Sequence, residues 1–142
     1  VVALALLALV GAVGVGCDDG VSDDTIEFVS LVEVRELRTA AKENPASLAL
    51  LDSRSPSRFA AERITGARNV TLAQMPSNAA VDARIAAADT VVVYGEDPGD
   101  VTARGLTKRL MELDYSNVYW FREGLKGWKQ AGGEVEGTGV TP

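Results

Sequence analysis

The sequence predicts an α/β fold: a single domain on a mainly parallel five-stranded sheet with helices on both faces. Three observations predict it. Strand-like and helix-like patterns alternate from residue 26 to residue 131, the order that lays crossover helices over a parallel sheet. Thr90-Val91-Val92-Val93-Tyr94 is an unbroken run of strand formers, the signature of a strand buried on both faces. A chain of 142 residues has room for one core of useful size, not two.

Ile26 to Val29 is the first expected strand. Ser30 and Glu33 have the spacing of a capping box, opening a helix whose apolar face is Leu31, Val34, Leu37 and Ala41. Asn44-Pro45 ends it, because a residue before proline avoids the helical region. Leu48 to Leu51 is the second strand. Ser55-Pro56 starts a helix with proline in its first turn, and Phe59 and Ala60 are expected to face inward. Ala67 to Val70 is a short third strand. Pro76-Ser77-Asn78 breaks a weakly helical stretch, and Val81 to Ala88 is the next helix. After the fourth strand, 90–94, Val101, Leu106, Leu110 and Leu113 mark an amphipathic helix that carries Arg104, Lys108 and Arg109. Val118 to Phe121 is the fifth strand. Leu125, Trp128 and Ala131 lie along a last helix ended by Gly132-Gly133, and 137–142 is a tail expected to fray.

Composition excludes several functions. With a formal charge of −6 and a pI near 4.6, the chain lacks the clustered Lys and Arg that nucleic acid requires. It has no histidine, which removes Ser-His-Asp and Cys-His catalysis and ordinary zinc sites. Cys17 is the only cysteine, so neither an intrachain disulfide nor a redox pair is possible. It closes an uncharged apolar run, residues 1–16, just ahead of Asp18-Asp19. That run resembles the end of a bacterial lipoprotein signal peptide, with Gly14 and Gly16 before a cysteine that would carry palmitate-type lipid. Gly14 stands where leucine is more usual, and the basic n-region is missing. An uncleaved anchor and an ordinary secretory signal are the alternatives, although the run falls short of the roughly 20 residues that span hydrocarbon. The lipoprotein reading implies a lipid-anchored protein on the extracytoplasmic face of a bacterial membrane, the periplasmic side in a Gram-negative cell. Residues 17–25 would be the lipidated cysteine and an acidic tether too polar to pack.

Strand 90–94 delivers the chain to Gly95-Glu96-Asp97-Pro98-Gly99-Asp100, a loop by composition, and then to a helix start. Such a junction makes a pocket whose backbone N–H groups can receive an anion. Here Glu96, Asp97 and Asp100 are expected on the rim. Each disfavours an anionic guest at about 4–6 Å by about 1 kcal/mol or more. The helix dipole supplies about 0.3–1 kcal/mol in the other direction. Thiosulfate, persulfide or phosphate is therefore not expected to bind. The acids also lack the alternating spacing of a calcium loop, so neither metal nor cofactor is expected.

The segment LALLDSRSPSRFAAERITGARNV, residues 48–70, resembles the first half of a rhodanese homology domain. A buried strand ends in Asp-x-Arg (Asp52, Arg54), a short helix follows, and an Ile-x-Gly-Ala turn (Ile64, Gly66, Ala67) leads onward. SNVYWFREGLKGWKQAGGEVE is similar to the family's closing strand, glycine-containing turn and last helix with an inward tryptophan, here Trp128. The resemblance spans residues 26–136. It implies that a cysteine after the VVVY-like strand carries sulfur as a persulfide; that position is Gly95 in this chain. It further implies that Asp52 and Arg54 sit beneath the loop and shape it. From the residues alone, the two read as a structural ion pair at strand and helix ends. Family members often have histidine where Arg63 stands and glycine where Glu123 stands. Arg58, Arg63, Arg68 and Arg122 read as scattered surface charges more than as a patch for an acidic partner. Trp120, Phe121 and Trp128 read as core. The expected function is that of a catalytically inactive rhodanese-like domain, a membrane-tethered binding or regulatory module for a protein partner. A sulfurtransferase-type enzyme with a non-standard site and a structural envelope lipoprotein are the alternatives. Candidate binding residues are Gly95, Glu96, Asp97, Gly99 and Asp100, with Asp52 and Arg54 below; Cys17 is the lipidation site.

Overall fold

A strand built of Val91, Val92 and Val93 needs apolar cover above and below, and the connecting helices supply both. The computed structural model describes residues 21–139. Its sheet joins β1 (Glu27–Phe28), β6 (Val118–Phe121), β5 (Thr90–Tyr94), β2 (Leu48–Asp52) and β4 (Arg68–Asn69) in that spatial order, all neighbours parallel. Successive residues of a strand face opposite sides. Ala49, Leu51, Val91 and Val93 therefore pack with Ile85 of α3 (Ala83–Ala86) and with Ala103, Leu106 and Leu110 of α4 (Val101–Glu112). On the other face Leu50, Val92 and Tyr94 meet Val34 of α1 (Leu31–Ala40) and Leu125 and Trp128 of α5 (Gly124–Gln130). Phe59 of α2 (Pro56–Ala61) borders this second core. The expected α/β class and five-stranded parallel sheet are what the chain forms.

The Ser30–Glu33 capping box forms in full, Ser30 N donating to Glu33 Oε2 at 2.8 Å. Other details differ from expectation. The first strand keeps two residues because it lies at the sheet edge and pairs only with β6. The third, at the opposite edge, pairs only at Arg68 and Asn69. The helix expected over 81–88 is one turn, and the stretch before it is a 3-10 turn at Leu72–Gln74. Ala60, Val101 and Ala131, placed inward by periodicity, are exposed; Val101 opens its helix above the edge of the core. A second sheet was not expected at all: β3 (Arg63–Ile64) pairs antiparallel with β7 (Val135–Glu136). Beyond it, Thr138 N and Gly139 N donate to Ala60 O and Ala61 O, both at 3.0 Å, so this part of the tail is held rather than frayed. Residues 23–25, expected in a tether that does not pack, form a 3-10 turn. There Asp23 pairs with Arg104 at 3.2 Å and Lys108 at 2.9 Å on α4. Cys17 and the apolar run before it lie outside the described residues. Among those described, no helix is long and apolar enough to cross a membrane.

Strand order fixes where a site can form. From β2 the chain steps outward to β4, whereas from β5 it steps the opposite way to β6. The carboxyl ends of β2 and β5 therefore part around a crevice, the place where parallel α/β sheets bind ligands.

Candidate functional site

Two segments leave the sheet at this crevice: Ser53-Arg54-Ser55 after β2, and the loop Gly95–Asp100 after β5. The first segment and the loop residues Glu96, Asp97, Gly99 and Asp100 line an open cleft of ≈ 480 Å³ with Arg58, Val101 and Thr102.

Beneath the cleft, Asp52 is fully buried and Arg54 is 5% exposed. The Arg54 guanidinium donates from Nη2 to Asp52 Oδ2 at 2.7 Å and from Nε to Asp52 Oδ1 at 3.0 Å. Its remaining donors reach Glu96 Oε2 at 3.0 Å and Glu62 O at 2.6 Å. One planar fork thus ties the end of β2 to the loop and to the exit of α2, which a lysine could not do. Burial works against the Arg54 charge, but the bonds and charges of Asp52 and Glu96 outweigh it and raise its pKa. Asn69 Nδ2 locks the same turn by donating to Asp52 O at 3.0 Å and Arg54 O at 2.8 Å. Next to them the Tyr94 hydroxyl accepts from Ile64 N at 3.1 Å. Burial first, then the Asp52 charge, pushes the pKa of that phenol up.

The loop itself is folded around Asp100. Asp100 Oδ2 accepts from Glu96 N at 2.8 Å, while Oδ1 accepts from Thr102 N at 2.8 Å, Thr102 Oγ1 at 2.6 Å and Ala103 N at 3.4 Å. Burial works against this carboxylate, yet those bonds together hold its pKa below the ordinary value. Asp97 accepts from Gly99 N at 2.9 Å through Oδ1 and from Asp100 N at 3.0 Å through its carbonyl. Backbone donors at 96, 99, 100, 102 and 103 are thus all satisfied within the loop and helix start. The loop carbonyls point the other way: Leu125 N donates to Gly95 O at 2.9 Å and Lys126 N to Glu96 O at 3.0 Å. Gly124, at φ +61, permits that approach, since a Cβ there would stand 2.7 Å from Gly95 O. At Gly95 a Cβ would fall 2.4 Å from Asp100 Oδ2 and 2.8 Å from Asp100 Cβ.

The structure therefore brings Arg54, Glu96, Asp97, Gly99 and Asp100 to one cleft, with Asp52 and Gly95 buried beside it, but the acids are not a uniform rim. Asp100 points inward, and Glu96 is neutralised by Arg54 and, at 3.8 Å, by Arg58. Ser53, Thr102 and Asn69 escaped the sequence reading. Ser53 Oγ lies 3.1 Å from both Tyr94 O and Thr102 Oγ1, bridging β2, β5 and α4. Only the Asp-x-Thr spacing of 100–102 signals this in the sequence. The other arginines are dispersed: Arg63 pairs with Glu136, Arg68 with Asp82, and Arg122 lies over the rings of Phe28 and Trp120. Among the described residues no acidic cluster is arranged to hold a metal ion.

No curated protein matches the chain. Among solved structures, the BH2092 protein from Bacillus halodurans shares 16% identity at a TM-score of 0.64, over 80% of this chain and 78% of its own. The rhodanese-like domain of the Alr3790 protein from Anabaena sp. shares 22% identity at a TM-score of 0.59, over 81% and 83%. Thiosulfate sulfurtransferase from Pseudomonas aeruginosa shares 23% identity at a TM-score of 0.57, over 84% of this chain but 21% of that one. At such identities the likeness is one of fold. The family model for the rhodanese-like domain matches residues 33–131, from the first turn of α1 to the end of α5, and the chain belongs to that family.

Proposed function

We propose that this rhodanese-like domain is catalytically silent and works by binding, tethered by lipid on Cys17 to the extracytoplasmic face of a bacterial membrane. One observation carries the silent reading. The position that the family resemblance assigns to the nucleophile is Gly95, and the space a side chain would take there is filled by Asp100. Sulfur transfer through a persulfide needs a thiolate in an electropositive, accessible setting. Here the loop donors that would serve an oxyanion already serve the Asp100 carboxylate. The surface left for binding is the cleft of Glu96, Asp97, Gly99 and Asp100, with Gly95, Asp52 and Arg54 supporting it, for which a protein partner is the proposed ligand. The tether rests on the apolar run that stops at Cys17.

The test is a thiosulfate–cyanide assay on the full chain in non-ionic detergent, with Gly95→Cys beside it, and phase partitioning of Cys17→Ala. Neither the natural chain nor Gly95→Cys should turn over above the blank, and Cys17→Ala should leave the detergent phase. Turnover by the natural chain would overturn the silent reading. Unchanged partitioning of Cys17→Ala would overturn the lipid anchor.

A further inference from the structure

On the far side of Pro98 from the cleft lies a second groove of ≈ 520 Å³, between the β1–α1 turn and the β6–α5 turn. Its floor is apolar. Phe28 is 52% exposed, a large fraction for an aromatic residue, and its ring lies 5.7 Å from that of Trp120. Arg122 covers both rings, its guanidinium 5.1 Å from the Phe28 centroid and 5.7 Å from that of Trp120. This cation therefore stands in the groove over the aromatic floor. The walls carry carboxylates. Glu33 is held by Ser30 N and Ser30 Oγ at 2.8 and 2.7 Å, bonds that lower its pKa and fix it ionised. Glu123 precedes α5 and makes no capping bond with its side chain. Among the described residues neither carboxylate is paired with a cation.

We infer that this groove docks an extended basic–apolar segment of a partner protein, an aliphatic side chain seated on Phe28 with a flanking Lys or Arg at Glu33 and Glu123. The inference rests on the binding-module reading and gives that module a surface and a partner chemistry. Charge complementarity names the occupant. Two carboxylates without a cation partner outnumber the one guanidinium over the rings, so the groove favours a cationic guest with an apolar tip and repels an anionic lipid surface. An apolar anchor on a ring ringed by charges is also how short segments gain both affinity and register. Pro98 belongs to the loop 95–100, so an occupant here touches the loop without entering the cleft.

The experiment titrates the isotope-labelled full chain, in non-ionic detergent, with a blocked pentapeptide of alternating lysine and leucine. A glutamate–leucine peptide is the control. Amide shifts are expected at Phe28, Ser30, Glu33 and Glu123 with the basic peptide alone. Glu123→Lys should weaken binding about tenfold and Phe28→Ala about fivefold, with melting temperatures kept. Asp89→Lys, the same charge change at the amino end of β5 and so at the opposite end of the sheet, should leave the affinity unaltered. Equal binding of the acidic peptide, shifts confined to the cleft, or an affinity indifferent to both groove substitutions would each overturn the inference. Concentration-dependent self-association that Phe28→Ala abolishes would assign the groove to a second copy and overturn it too. Turnover in the sulfur-transfer assay would defeat the silent reading while leaving this result in place.

Discussion

At Gly95 the absence of a side chain is a packing requirement. Asp100 occupies the space and is fixed by bonds from Glu96, Thr102 and Ala103, so it yields only if the helix start loosens. Gly95→Ala is expected to destabilise the domain by about 1–3 kcal/mol, the usual range for forcing an extra group into a filled site. Asp100→Gly alone loses the carboxylate bonds to Glu96 N and Thr102 N and should cost about 1 kcal/mol. In the double variant the methyl group gains the vacated space, so the combined cost should fall short of the sum by about 1 kcal/mol. Urea unfolding of the four chains measures this directly. Additivity within about 0.5 kcal/mol would mean that Asp100 does not confine position 95.

At the scale of elements, α5 and the turn after it depend on one side chain. The Trp128 ring meets Phe121 edge-on at 6.4 Å, and its Nε1 donates to Glu134 O at 3.0 Å. The guanidiniums of Arg35 and Arg38 lie 5.8 and 5.1 Å from it. Gly133 closes over the indole so tightly that a Cβ there would fall 2.2 Å from it. The Gly132-Gly133 pair is thus both a helix stop and a lid. Trp128→Ala should cost about 3–5 kcal/mol, cavity included, by urea unfolding. Because Glu134 O also accepts from Thr65 N at 3.2 Å, the β3–β7 pairing should loosen first, read as faster amide exchange at Thr65. A loss of only a few tenths of a kcal/mol would place this helix outside the core.

Across the whole molecule several carboxylates are held below their ordinary pKa. Asp82 is lowered from 3.8 to about 2, chiefly by its side-chain bond with Arg84. Asp100 is lowered despite burial, Glu33 by Ser30, and Glu136 first by Gly66 N and then by Arg63. A group depressed on folding stabilises the folded state above its unfolded pKa, and that contribution fades as pH falls through the folded value. For Asp82 the window runs from 3.8 down to about 2. With no histidine to titrate, the melting temperature should be nearly flat between about pH 5 and about pH 8. It should then fall steeply below about pH 4. Scanning calorimetry across that range is the check; a drop between pH 7 and pH 5 would point to a group outside this set.

The sequence by itself determined the class of fold, because class follows from periodicity and local signals. The valine run of β5, the Ser30–Glu33 box and the alternation of strands with helices each act within a few residues, and the folded chain keeps them. It also determined which residues gather at the cleft, since Arg54 and the loop after β5 follow strand ends that a parallel sheet brings to one edge. Tertiary structure alone decided their roles. That Asp100 turns inward, that Arg54 joins three segments, and that Phe28 and Glu123 face one groove all depend on contacts between residues far apart in the chain. The β3–β7 pair was illegible for the same reason: two residues on each side carry no periodicity, and the two segments, far apart in the chain, meet through the Trp128 bond to Glu134 O and the return of the chain after α5.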